Sequence, residues 1–112
     1  MLIGTEHVGR LLSFYRDVLG LQTEMENEEF AVFRASAGPQ LAIGRHSEVK
    51  GKSRDPNRVM VDFAVDNCQA ECERLSKQGV EFIRTPSQDQ GFIIATFLDP
   101  DGNVLQLFQE TG

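Results

Sequence analysis

The sequence predicts an α+β domain of 112 residues built from two consecutive βαβββ modules, an expectation that rests on three observations. Two amphipathic helical stretches each stop at a glycine, Gly20 and Gly79, and each is followed by three short runs of strand character. Between the modules lies Arg45–Asn57, polar, containing Lys, Ser, Gly and Pro, with no hydrophobic periodicity, which reads as a solvated linker. The last apolar run, Phe92 to Leu98, turns through Asp99-Pro100-Asp101-Gly102 into Asn103-Val104-Leu105-Gln106-Leu107-Phe108 and reads as a β-hairpin. Pro100 pre-sets φ, Gly102 tolerates positive φ, and an Asp can hydrogen-bond its own turn.

Module one covers residues 1–44. Only Met1-Leu2-Ile3 remains for its opening strand, which is therefore expected to be truncated. Thr5 is a plausible N-cap for a helix from His7 to Leu19, with Val8, Leu11, Leu12, Tyr15, Val18 and Leu19 as its apolar positions. Strands are expected over Leu21–Met25, Phe30–Ala35 and Gln40–Gly44. Module two, residues 58–112, opens with a strand over Arg58–Val65. Asn67 then caps a helix running to Gln78, with Ala70, Cys72 and Leu75 apolar. Strands Val80–Arg84, Gly91–Leu98 and Asn103–Phe108 complete it. In the last of these, Gln106 shares a face with Val104 and Phe108 and opposes Leu105 and Leu107. A covered strand would bury that amide, so it is either a structural group with partners or part of a site.

A formal charge of −6 disfavours nucleic acid, whose phosphates demand a basic footprint, and suits a cationic or neutral ligand. No apolar run is long enough to span a membrane and no basic-then-apolar leader opens the chain, so a cytoplasmic protein without a membrane partner is expected. Cys68 and Cys72 lie four apart in a helical pattern, the spacing of packed thiols in a reducing compartment. No serine sits in a G-x-S-x-G elbow, and Gly38-Pro39 and Gly102-Asn103 read as turns rather than phosphate loops.

Two motifs, Phe14-Tyr15-Arg16-Asp17-Val18-Leu19-Gly20-Leu21 and Asp99-Pro100-Asp101-Gly102-Asn103, resemble those of the vicinal oxygen chelate superfamily. It includes glyoxalase I, extradiol dioxygenases, fosfomycin-modifying transferases and bleomycin-resistance proteins. The resemblance covers almost the whole chain. It implies a curved mixed sheet around a cup-shaped cavity, completed in a homodimer. Family members that use a divalent metal take His or Glu ligands from the first and last strands of each module. In module one the first such position falls upstream of Thr5, in residues the chain does not contain, and the last corresponds to Gln40. In module two the positions are Met60 and Gln106. Two neutral amides and a thioether supply no charge to offset the dehydration of a hard cation, so neither a metal nor another cofactor is expected. The only imidazoles are His7, in the first helical turn, and His46, in the linker, and both are expected to be solvated.

Strand alternation puts Asp62 on the same face as Met60, where it could fix a cationic group or act as a base. The structural alternative is an ion pair with a neighbour such as Arg34. Phe33 or Phe30 could contribute to the cavity wall and Phe92 to its lip, although a strand aromatic is more often core. The expected ligand-binding set is therefore Gln40, Met60, Asp62, Gln106, Phe33 and Phe92, in a non-catalytic protein that binds a small organic molecule. A metal-dependent lyase, isomerase or dioxygenase of the same superfamily is one alternative. A structural or regulatory module whose cup is filled by Met60 and Phe108 is another.

Overall fold

The computed structural model describes residues 1–34, 40–56 and 59–111, so the expected strand residues Ala35 and Arg58, the linker residue Asn57 and the Gly38-Pro39 turn lie outside it. The chain forms two compact units, Met1–Lys52 and Ser53–Gly112. Each has one four-stranded mixed sheet, ordered β1-β4-β3-β2 in the first and β5-β8-β7-β6 in the second.

In the first unit the strands are β1 (Leu2–Thr5), β2 (Thr23–Glu26), β3 (Phe30–Phe33) and β4 (Ala42–Arg45). The opening strand is short, yet all four of its residues pair in parallel with β4, from Leu2 opposite Ala42 to Thr5 opposite Arg45. Helix α1 (Val8–Ser13) continues as a π-helical turn over Phe14–Val18. The expected single α-helix is thus divided, and its N-cap is His7, whose N–H donates to the Thr5 hydroxyl at 3.0 Å. Widening the turn lets Tyr15 reach the sheet side, where it is fully buried 5.8 Å from the Phe33 ring. Ile3, Ala31, Phe33 and Ile43 form the covered face of this sheet, with Val8, Leu11 and Tyr15 above it.

The second unit contains β5 (Met60–Ala64), α2 (Cys68–Lys77), β6 (Phe82–Asp89), β7 (Phe92–Leu98) and β8 (Val104–Glu110). Asn67 caps α2 as its sequence position suggests: its Oδ1 accepts from the Ala70 N–H at 3.0 Å. A second free donor of the first turn, the Cys68 N–H, reaches Gln109 Oε1 at 2.8 Å, which ties the helix start to β8. At the other end Gly79 takes φ +93, and the Val80 and Gly79 N–H groups bond back to Leu75 and Ser76, a Schellman closure. Strand β6 runs past the expected end at Arg84 to Asp89, so Pro86 lies within it. A proline costs no ladder bond on an edge strand, and two register shifts, flanking Arg84, bend the strand locally.

Phe97 and Ala95 on β7, with Leu105 and Leu107 on β8, are buried on the face that α2 covers through Cys68, Cys72 and Leu75. Burial raises the Cys72 thiol to about 12, with a further push from Cys68 beside it, and burial also raises Cys68. Both are free cysteines. The β7–β8 hairpin closes on Asp99, which is 4% exposed. Its carboxylate accepts from the Asp101 and Asn103 N–H groups, each at 2.9 Å, and from the Asn103 side-chain amide at 2.8 Å. The linker is tied to its own unit on either side: Gly51 N–H donates to Glu6, and Ser53 N–H to the Asp101 carbonyl.

Asp99→Ala should lower stability by about 2–3 kcal/mol in urea denaturation, since three donors, one buried and two half-buried, lose one charged acceptor. The thiols should be inert to a disulfide reagent at pH 8 in the native state and react at once on unfolding. Their folded pKa values lie above the unfolded one, about 8.5. The stabilisation they contribute is therefore complete below pH 8.5 or so, and stability should fall as the pH is raised from there toward 12.

Candidate functional site

The second sheet has one face under α2 and one face that no helix of the unit covers. Pairing register assigns the side chains of that open face. Asp62 on β5 lies opposite Gln106 on β8, Gln106 opposite Thr96 on β7, and Thr96 opposite Arg84 on β6. These four residues make one polar row across the sheet, at steps of roughly 4.8 Å. On one side of it runs Met60–Val104–Leu98, and on the other Ala64–Phe108–Ile94. Phe92, opposite Glu110 one step further, meets the Phe108 ring edge-on with centroids 6.0 Å apart.

Three members of the row hold polar groups that bond to nothing among the described residues. Asp62 is exposed on an edge strand and enters no ion pair with the described residues of its unit. The Gln106 amide is half-buried and makes no hydrogen bond among those residues. The Thr96 hydroxyl makes none either, although Thr96 is only 8% exposed. No side-chain N or O among the described residues is sealed from solvent without a partner, so that hydroxyl keeps an opening on the face. Arg84 is different: its guanidinium is held by Ser87 at 2.8 Å and by Asp89 at 3.6 Å.

The first unit supplies a comparison from within the same chain. Aligning the N-caps His7 and Asn67 brings Leu2 onto Asp62, and parallel pairing then brings Ala42 onto Gln106. The row continues through Val32 and Met25, the counterparts of Thr96 and Arg84. Leu2–Ala42–Val32–Met25 is entirely apolar. The fold therefore does not require polar side chains in this row, and in the second unit they are there for another reason.

Four of the six residues expected to bind ligand, Met60, Asp62, Gln106 and Phe92, lie on this open face. Of the other two, Phe33 lies on the opposite face of its sheet and Gln40 lies outside the strands. Phe33 is 1% exposed and belongs to the covered face of the first sheet, because β3 turns Ala31 and Phe33 toward the helix and leaves Phe30 on the open side. Gln40 precedes β4, and its amide donates to Glu24 at 2.6 Å. The counterpart of Gln106 is Ala42, two residues later, whose side chain has no donor atom. Thr96 and Arg84 escaped the sequence reading. Aligning the two modules on their helix caps sets Val32 against Phe92, so only strand register brings Val32 onto Thr96.

His7 and His46 are exposed; His46 Nδ1 accepts from the Glu48 N–H at 3.2 Å and His7 stands 3.7 Å from Glu6. Among the described residues no three His, Cys, Asp or Glu side chains converge as they would to hold a metal ion. The donor set at the family positions of the second unit, a thioether and a neutral amide, does not fit the hard or borderline divalent ions that bind oxygen substrates.

A model of the glyoxalase-like domain matches residues 1–108. The chain belongs to that family. The vicinal oxygen chelate superfamily suggested by the two motifs is thereby confirmed. Among solved structures the glyoxalase-like domain is similar to a glyoxalase/bleomycin resistance protein/dioxygenase from Nocardioides, with 21% identity, a TM-score of 0.75, and 98% of this chain and 80% of that one covered. A family enzyme from Burkholderia phytofirmans PsJN gives 19% identity and a TM-score of 0.77, covering 98% and 95%. A glyoxalase/dioxygenase from Nostoc punctiforme gives 16% identity and 0.81, covering 98% and 88%. At such identities the likeness is one of fold. A search of curated proteins returned no match. No helix among the described residues is long and apolar enough to cross a membrane.

Thr96→Val should raise stability by about 0.5–1 kcal/mol in urea denaturation, since it removes a mostly buried hydroxyl that has no bond to lose. A loss of 1 kcal/mol or more would show that the hydroxyl has a structural partner.

Proposed function

We propose that this glyoxalase-like domain binds a small organic molecule on the open face of its second sheet and does so without a metal centre of the family type. The observation that carries this reading is the contrast between Asp62–Gln106–Thr96 and its apolar counterpart Leu2–Ala42–Val32. Polar groups that the fold does not need and that bond to nothing among the described residues are what a ligand site requires: a few fixed anchors set among apolar and aromatic surface. Met60 and Asp62 are exposed, which speaks against a site filled by its own side chains. At the two family ligand positions, Met60 and Gln106 lend no negative charge to a cation, so binding and not Lewis-acid chemistry is the activity they support.

A homodimer belongs to the same reading. The apolar row of the first unit leaves Leu2 65% and Met25 56% exposed, a surface that a second copy would cover. A cytoplasmic location is proposed from the two free thiols.

Protein purified without chelator should carry no stoichiometric metal, and calorimetric titration with Mn²⁺, Zn²⁺ or Ni²⁺ should show no saturable site. The double variant Met60→His/Gln106→Glu, which places an imidazole and a carboxylate on neighbouring rows of one face, should acquire Zn²⁺ or Ni²⁺ binding that the parent lacks. One tightly held ion per chain in the parent, or lyase or dioxygenase turnover on adding Ni²⁺, Mn²⁺ or Fe²⁺, would overturn the proposal.

A further inference from the structure

We infer that the molecule bound on this face is an organic cation, an ammonium seated at Asp62 whose apolar or aromatic body lies along Phe108, Ile94 and Phe92. The inference rests on the binding reading above and adds the chemical class of the ligand. Its basis is the placement of charge. Asp62 stands at the open end of the polar row and pairs with no cation among the described residues: its row neighbours are Gln106 and Thr96, and the guanidinium that ends the row is already held by Ser87 and Asp89. The adjoining row, Ala64–Phe108–Ile94, is apolar. Ala64 leaves room beside Phe108, and Phe92 closes against that ring. A carboxylate next to an aromatic pair suits a cation with an apolar body, since the ion pair and the ring faces attract the same charge.

Two further observations agree. A cavity of about 280 Å³ continues the face beyond Ala64 and Phe108, and Val65, Asp66, Gln109 and Glu110 complete its lining. It brings two more carboxylates and no basic side chain, so an anionic ligand would meet repulsion there at every approach. Asp62 also owes nothing to the architecture, because the first unit builds the same position with Leu2.

The test uses the intact chain, labelled with ¹⁵N and titrated with 2-phenylethylammonium and tryptammonium, and with their neutral counterparts 2-phenylethanol and tryptophol. Amide shifts of Gln106, Phe108, Ile94 and Thr96 report binding on the face. The cations are expected to bind about tenfold more tightly than the neutral compounds, the effect of one partly exposed charge-assisted contact. Asp62→Asn and Asp62→Leu, the second copying the first unit, should abolish that preference while keeping the melting temperature, since the residue is exposed and unbonded. If neutral and cationic compounds bind alike, or the preference survives both variants, the cation assignment is wrong while binding on the face stands. If no compound moves any of those amides, the cation assignment and the binding reading both fall.

Discussion

Asp62 and Gln106 stand side by side because β5 and β8, 40 or so residues apart in the chain, pair in parallel at one register, from Met60 opposite Val104 to Ala64 opposite Phe108. Everything described for the site depends on that register. A slip of one residue would turn Asp62 away from Gln106 and bring half-buried Val61 or Phe63 to the open face, so apolar burial penalises any alternative. Two local devices secure it. Gln109 in β8 accepts from the first N–H of α2 and fixes where the crossover helix begins relative to the last strand. Asp99 gathers the chain at the β7–β8 turn and sets the antiparallel register from Leu98 opposite Val104 onward.

The duplication of the fold separates what the architecture demands from what it permits. Both units pair their first and last strands in parallel, order the sheet identically and place the helix on one face. Glycines with positive φ end both helical segments, Gly20 and Gly79. Against that common frame the open faces diverge. One presents Leu2, Ala42, Val32 and Met25 in a row, the other Asp62, Gln106, Thr96 and Arg84. The polar row adds nothing visible to the stability of its unit, because three of its members bond to no described residue. Unused polar groups at a half-buried surface cost stability, and their retention is the usual mark of a surface with a task.

The family fold is present here with a thioether and a neutral amide, Met60 and Gln106, on the open face of its second sheet. The scaffold itself explains how that is tolerated. Met60 and Gln106 sit on strands whose other faces carry half-buried Val61 and Phe63 and, on β8 against α2, buried Leu105 and Leu107. Alternation of side chains decouples the two faces, so residues on the open one can change their chemistry while the buried one keeps the fold.

How much of this was legible before the structure follows from the range of the forces involved. Signals that act over a few residues were read correctly: the Asn67 cap, the Gly20 and Gly79 stops, the Asp99-Pro100-Asp101-Gly102 turn, and the alternation that sets Gln106 against Leu105 and Leu107. Strand Phe82–Asp89 was cut short, because whether Pro86 breaks a strand depends on lying at the sheet edge, which local sequence does not state. The π-helical turn over Phe14–Val18 and the burial of Phe33 were likewise decided by packing between Tyr15 and the sheet. By itself, then, the sequence determined the order of the elements, most of their punctuation and the family. Tertiary structure decided which faces are open, that Gln40 is occupied by Glu24 while Ala42 matches Gln106, and that Thr96 joins Asp62 and Gln106. The physical reason is that a row across a sheet is made of residues distant in sequence, and only long-range strand register brings them into line.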